Sequence, residues 1–126
     1  MKAAYVDTSC LVAAALGEPG AARVVSRLKS YEVLLASGLV EAELKSTLVR
    51  EGLPDRAVDF LPRLDWVYPD RPLGAEIDRV LAAGYVKGAD AWHLACALYL
   101  SPDGAGLRFE TLDARQRSVA RSLGFR

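Results

Sequence analysis

Four carboxylates stand where their types and spacing could do chemistry. Asp7 closes the short apolar run AAYVD, and Asp113 closes a second run in ETLDAR. Glu43 sits on a stretch whose apolar arc is Leu39, Val40, Leu44 and Leu48, and it falls inside that arc. Glu41, two residues earlier, points ~200° away on a helix and falls at the far edge of the arc. Asp90 opens DAWHLACAL and shares a helical face with Leu94 and Ala97. Each acid has a simpler role available. Asp7 and Asp113 are good helix N-caps. Glu43 suits the surface of a loosely packed helix. Asp90 suits a first turn, where the helix dipole favours an anion. His93, one turn after Asp90, is expected to be a hydrogen-bonded core histidine rather than a ligand.

Taken together the four acids ask for more. Carboxylates gathered in one cleft repel and raise one another's pKa. A core-facing carboxylate is costly unless something compensates it. A hard divalent cation does so, and Mg²⁺ or Mn²⁺ prefers oxygen ligands. Such a site can activate water and stabilise a phosphodiester transition state. The rival chemistries lack their residues. There is no Cys/His zinc pattern, no GxxxxGK[ST] phosphate loop, no GxGxxG fingerprint and no GxSxG nucleophile elbow. An aspartate-based phosphotransferase of the DxDxT kind needs a second acid where Ser9 stands, and a receiver domain needs a paired acid and a late lysine that are not seen.

The elements that must position these acids alternate. Strands are expected at Ala3–Asp7, Val33–Ser37, Leu64–Tyr68 and Arg108–Leu112, with Phe125 beginning a short edge strand. Helices are expected at about 8–16, 21–30, 38–51, 55–64, 73–83, 90–100 and 113–123, with Thr8 and Ser9 capping the first and Pro62 threatening the fourth. The helix from Asp90 is apolar nearly all round and should be deeply buried. Strands alternating with helices predict an α/β fold with a mostly parallel sheet. Ligands then bind beyond the carboxyl ends of the strands, which is where Asp7 and Asp113 fall.

In this order the blocks YVDTS, Ser37-x5-Glu43-Leu44, DAWHLACAL and TLDAR resemble a PIN-domain ribonuclease, most closely the VapC toxins of toxin–antitoxin pairs. The resemblance runs from Asp7 to Gly124-Phe125. It implies one PIN-like domain over residues 1–126, with about five mostly parallel strands and helices on both faces. It implies that Asp7, Glu43, Asp90 and Asp113 are catalytic and bind Mg²⁺ or Mn²⁺. It also implies that Thr8 or Ser9 and Thr111 orient the site, and that His93 is structural. Trp92 stands where the family usually has a smaller apolar residue. The resemblance further implies a homodimer, an RNA substrate cut to 5′-phosphate and 3′-hydroxyl ends, and an antitoxin partner lying over the active-site groove. Arg115, just after Asp113, is a candidate phosphate contact. The alternative is an inactive RNA-binding or partner-docking module that keeps the fold.

Composition sets the remaining bounds. The 126 residues are 52% hydrophobic and 25% charged, which is globular rather than disordered or fibrous. Cys10 and Cys96 make no disulfide framework, so a reducing cytoplasm is expected. Asp7 interrupts the apolar N-terminus too early for a membrane span. Sixteen Lys and Arg balance sixteen Asp and Glu. That neutrality hides structure, because residues 51–78 carry three basic and seven acidic groups while 108–126 carry five basic and two acidic. Setting the four site acids aside leaves twelve acids against sixteen bases. The acidic stretch is therefore expected to lie away from the substrate, and the basic C-terminal helix near it.

Overall fold

A computed structural model describes residues 2–126. Four short strands form one sheet: β1 (Ala3–Val6), β2 (Val33–Ser37), β3 (Leu64–Val67) and β4 (Arg108–Glu110), in the order β3-β2-β1-β4. All three pairings are parallel, in register at Ala4↔Leu34, Leu35↔Asp65 and Tyr5↔Phe109. Among the described residues six α-helices accompany the strands: α1 (Thr8–Leu16), α2 (Ala21–Lys29), α3 (Gly38–Arg50), α4 (Gly74–Ala83), α5 (Gly88–Leu100) and, after the last strand, α6 (Ala114–Ser122). None of the helices among the described residues is long and apolar enough to cross a membrane.

The period of two along β1 divides the core. Ala4 and Val6 face one cluster with Cys10 and Leu11 of α1, Val24 and Leu28 of α2, and Val40, Leu44 and Leu48 of α3. Tyr5 faces the other, with Val80 of α4, Leu94, Cys96 and Leu98 of α5, Val119 of α6, and Phe109 and Phe125. Tyr5 stacks on Phe109 with ring centroids 5.5 Å apart. As expected, α5 is buried over most of its surface. Both cysteine thiols are buried, one on each face, and burial pushes each up to about 12.

Three expectations are corrected. The short edge strand expected at Phe125 does not form, and the sheet has four strands among the described residues. Phe109 N–H donates to Arg126 O at 2.9 Å, but the left-handed Gly124 (φ 103°) turns the chain after α6, so this remains a single backbone bond beside β4. The helix expected over 55–64 is two 3₁₀ turns, Pro54–Asp59 and Leu61–Arg63, broken at Phe60. Pro62 has no N–H to donate back along a helix, which prevents a continuous one. Finally, the cap of α1 is Asp7 rather than Thr8 or Ser9.

The chain order matters more than the strand count. From β1 the chain builds outward through β2 to β3, then crosses over α4 and α5 to place β4 on the other side of β1. The order therefore reverses between β1 and β4, and parallel α/β sheets open a crevice at that point. The acidic stretch 51–78 includes β3 at one edge of the sheet, and the basic stretch 108–126 includes β4 at the other.

Gly104 and Gly124 lock the C-terminal turn. Both have positive φ, and a Cβ on Gly104 would lie 2.5 Å from the Gly124 carbonyl carbon. Gly104→Ala is expected to cost on the order of 1–3 kcal/mol, from strained backbone and a clash that only main-chain movement relieves. A lowered Tm by circular dichroism checks this.

Candidate functional site

The reversal point is built from two strand ends. Asp7 leaves β1 in an extended conformation and caps α1, and Asp113 does the same after β4 for α6. Their main chains are tied together, because Asp7 N–H donates to Glu110 O at 2.9 Å. The helix-cap role weighed for both aspartates is thus real, and it occupies one carboxylate oxygen of each. Asp7 Oδ2 accepts from Ser9 N at 3.3 Å and Ser9 Oγ at 2.7 Å, and Thr111 Oγ1 lies 3.1 Å away. Asp113 Oδ1 accepts from Gln116 N at 2.8 Å. The other oxygens, Asp7 Oδ1 and Asp113 Oδ2, accept no hydrogen bond among the described residues. His93 Nε2 stands 3.7 Å from Asp7 Oδ1.

Glu43 arrives from α3, on one face of the sheet, and meets α5 from the opposite face. Its Oε1 accepts from Thr8 Oγ1 at 2.9 Å and lies 2.7 Å from His93 Nε2. The His93 hydrogen bond, seconded by Thr8, holds the Glu43 carboxyl below the usual carboxylate range despite partial burial. Its Oε2 is left free. Glu41, by contrast, pairs with Lys45 at 2.6 Å on the outer surface.

Asp90 lies in the first turn of α5, half-buried, and neither of its carboxylate oxygens has a hydrogen-bond partner among the described residues. Burial raises its pKa first, and the negative charges of Asp7, Asp113 and Glu43 add to the rise, partly offset by His93. Those mutual charges mean that the four acids share one electrostatic neighbourhood. They are not already a closed cage: among the described residues, no three His, Cys, Asp or Glu side chains stand close enough together to hold a metal ion.

The donor set nevertheless suits a hard cation. It is all oxygen, it is anionic, and each of the four acids keeps at least one oxygen outside the scaffold's hydrogen bonds. Mg²⁺ takes one or two carboxylates and keeps several waters, so it does not require three preassembled ligands.

The PIN domain family matches residues 4–122. The chain belongs to the PIN domain family. Members of this family are generally nucleases and typically use divalent metal ions. No curated protein matches the sequence.

Three side chains of this PIN domain carry more of the site than the sequence reading assigned them. His93 is 1% exposed and bonded at both nitrogens, as a core histidine should be, yet its partner at Nε2 is Glu43. At Nδ1 it meets the Tyr5 hydroxyl at 2.8 Å, and Tyr5 Oη also bonds Ser37 Oγ at 3.1 Å. The His93 ring thus links the Tyr5 hydroxyl on β1 to the Glu43 carboxylate on α3. Gln116 is fully buried. Its Oε1 lies 2.8 Å from Thr111 Oγ1, and its Nε2 donates to Asp90 O at 3.3 Å, tying the β4 end to the start of α5.

The sequence signal for Gln116 was present, since Asp113-x-x-Gln116 is a capping-box pattern. The usual reach back to the cap N–H is pre-empted, however, because Asp113 N donates to Thr111 Oγ1 at 3.0 Å. Thr111 and Ser9 thus both hydrogen-bond the Asp7 carboxylate, and Thr8 hydrogen-bonds that of Glu43. Arg115 is exposed in the first turn of α6 and makes no hydrogen bond or ion pair among the described residues.

Gln116→Ala is expected to destabilise the fold by about 1–3 kcal/mol, the usual cost of leaving buried polar partners unmade. Urea unfolding reads it as a lower midpoint with an unchanged slope.

Proposed function

We propose that this PIN domain is a Mg²⁺- or Mn²⁺-dependent endoribonuclease whose catalytic acids are Asp7, Glu43, Asp90 and Asp113. The observation that carries the reading is the division of labour within the carboxylates. One oxygen of Asp7, Glu43 and Asp113 is anchored to the scaffold and the other is free, while Asp90 is free at both. A set of purely structural caps and surface acids would not be gathered closely enough for the charges of Asp7, Asp113 and Glu43 to add to the rise in the pKa of Asp90.

A divalent cation bound there would supply Lewis-acid polarisation of a phosphoryl oxygen and a lowered pKa for water. The chain's own residues do the rest. Ser9 and Thr111 fix the rotamer of Asp7, and Thr8 and His93 fix that of Glu43 while keeping it ionised. The negative charges that Asp90 feels from Asp7, Asp113 and Glu43 favour a cation among them. Arg115 reaches from the first turn of α6 to steady a phosphate.

The four blocks that resemble VapC support a finer assignment, to the toxin of a VapBC-type pair acting as a homodimer. Its spare partner in that reading is an antitoxin lying over the same groove. The assignment rests on likeness of motif and fold rather than on the site's chemistry. A short adjoining reading frame encoding a DNA-binding protein, whose co-expression relieves growth arrest by this chain, is the expected finding.

Asp7→Asn and Asp90→Asn are expected to lower Mg²⁺- or Mn²⁺-dependent cleavage of RNA by about 100-fold or more. EDTA should abolish the wild-type reaction. Equal cleavage by wild type and variants would sink the nuclease reading. Thr8→Val, which frees Glu43 from one of its two anchors, is expected to lose roughly 10–100-fold, in the range for groups that orient a ligand. A measured rise in the metal concentration for half-maximal rate would locate that loss in cation binding.

A further inference from the structure

Beside β4, at the edge of the sheet that carries the basic C-terminal stretch, Arg27, Glu110, Thr111, Arg117, Arg121 and Arg126 line a cleft of about 340 Å³. Four arginines face one acid there. The acid, Glu110, is engaged on both sides, accepting from Tyr31 Oη at 2.5 Å and pairing with Arg27 Nε at 3.0 Å. Arg117 spends one nitrogen, Nη2, on Thr111 O at 2.8 Å. Arg121 and Arg126 have no side-chain partner among the described residues, and both are exposed. They also line a neighbouring concavity of about 450 Å³, with Arg108.

The position of this cleft is as informative as its charge. Thr111 is one of its lining residues, and the Thr111 hydroxyl lies 3.1 Å from Asp7 Oδ2. The acids and the arginines are therefore contiguous through one residue. Along α6, Asp113, Arg117 and Arg121 follow at every fourth position, so they share a face and step ~6 Å along the axis. One cation per helical turn, starting from a site acid, makes a line of positive charge leading away from the four carboxylates. Arginine is the side chain best shaped to grip phosphate.

We propose that this arginine cleft is the track for a single RNA strand, binding the phosphates that flank the bond held at the carboxylate site. The proposal rests on the nuclease reading above and deepens it by locating the substrate. A phosphodiester strand carries one charge per nucleotide and matches a line of regularly spaced cations, the arrangement by which proteins hold single strands without reading sequence. The far edge of the sheet, where the acidic stretch 51–78 runs through β3, repels the same strand.

The test is binding in metal-free buffer with EDTA, so that it does not depend on cleavage. Fluorescence anisotropy with 4- and 12-nucleotide oligouridylates, over a salt series, compares wild type with Arg121→Glu/Arg126→Glu, with Arg121→Lys/Arg126→Lys, and with Arg50→Glu on the remote end of α3. The glutamate pair is expected to weaken 12-mer binding at least tenfold and to flatten the salt dependence by about 1.4 in slope, as loss of two phosphate contacts on a single strand requires. The lysine pair should keep most of the slope, and Arg50→Glu should bind as wild type does. Circular dichroism melts confirm that the exposed substitutions leave the fold intact.

Unchanged affinity and slope in the glutamate pair, or no binding of the 12-mer by wild type at low salt, overturns the track. A polyglutamate peptide that binds as tightly, with the same sensitivity to the glutamate pair, overturns it in favour of an acidic protein partner. Cleft-dependent binding without Mg²⁺- or Mn²⁺-dependent cleavage leaves the track standing and removes the nuclease reading instead.

Discussion

Like charge concentrated at one end of a parallel sheet is the constraint on which this molecule turns. Reversal of strand order between β1 and β4 opens the crevice, and the two strand ends deliver Asp7 and Asp113 into it. Two helices from opposite faces then add Glu43 and Asp90. Left alone, such a cluster would protonate or splay. The fold resists by giving three of the four carboxylates a fixed anchor on one oxygen: Ser9 with Thr111 for Asp7, His93 with Thr8 for Glu43, and the first turn of α6 for Asp113. The electrostatic load falls on Asp90, which has no such anchor and whose pKa rises accordingly.

The anchors in turn explain why so many polar groups are buried close to the crevice. Tyr5, Ser37, His93, Thr111 and Gln116 are all buried, and no buried side-chain nitrogen or oxygen among the described residues lacks a hydrogen-bond partner. Fully satisfied networks of this kind specify one arrangement, because a half-made alternative leaves polar groups stranded in a low-dielectric interior. Thr111 shows the economy involved: its one proton faces two acceptors, Asp7 Oδ2 and Gln116 Oε1, while its oxygen receives the Asp113 N–H.

Local pattern carried the strands, the placement of the two aspartates at strand ends, and the inward facing of Glu43, because those features follow from periodicities of two and 3.6. The parallel α/β class followed from alternation of elements. What could not be read was whatever depends on two distant segments meeting. Tyr5 looks like an ordinary strand residue until His93, eighty-eight positions away, places a ring nitrogen at its hydroxyl. Gln116 looks like half of a capping box until Thr111 takes the other half. The 55–64 segment failed for a local reason, since one proline outweighed an otherwise helical run. The short edge strand expected at Phe125 does not form because Gly124 turns the chain within three residues of its end.

The two buried cysteines divide along the sheet as the core does. Cys10 lies in α1 on one face and Cys96 in α5 on the other, and each thiol is suppressed by burial. The chain therefore holds one dormant reporter in each layer. An alkylating reagent that reaches Cys96 first records opening of the layer holding Asp90 and His93, and one that reaches Cys10 first records loosening beneath Asp7. The order of labelling would show which half of the crevice comes apart before the other.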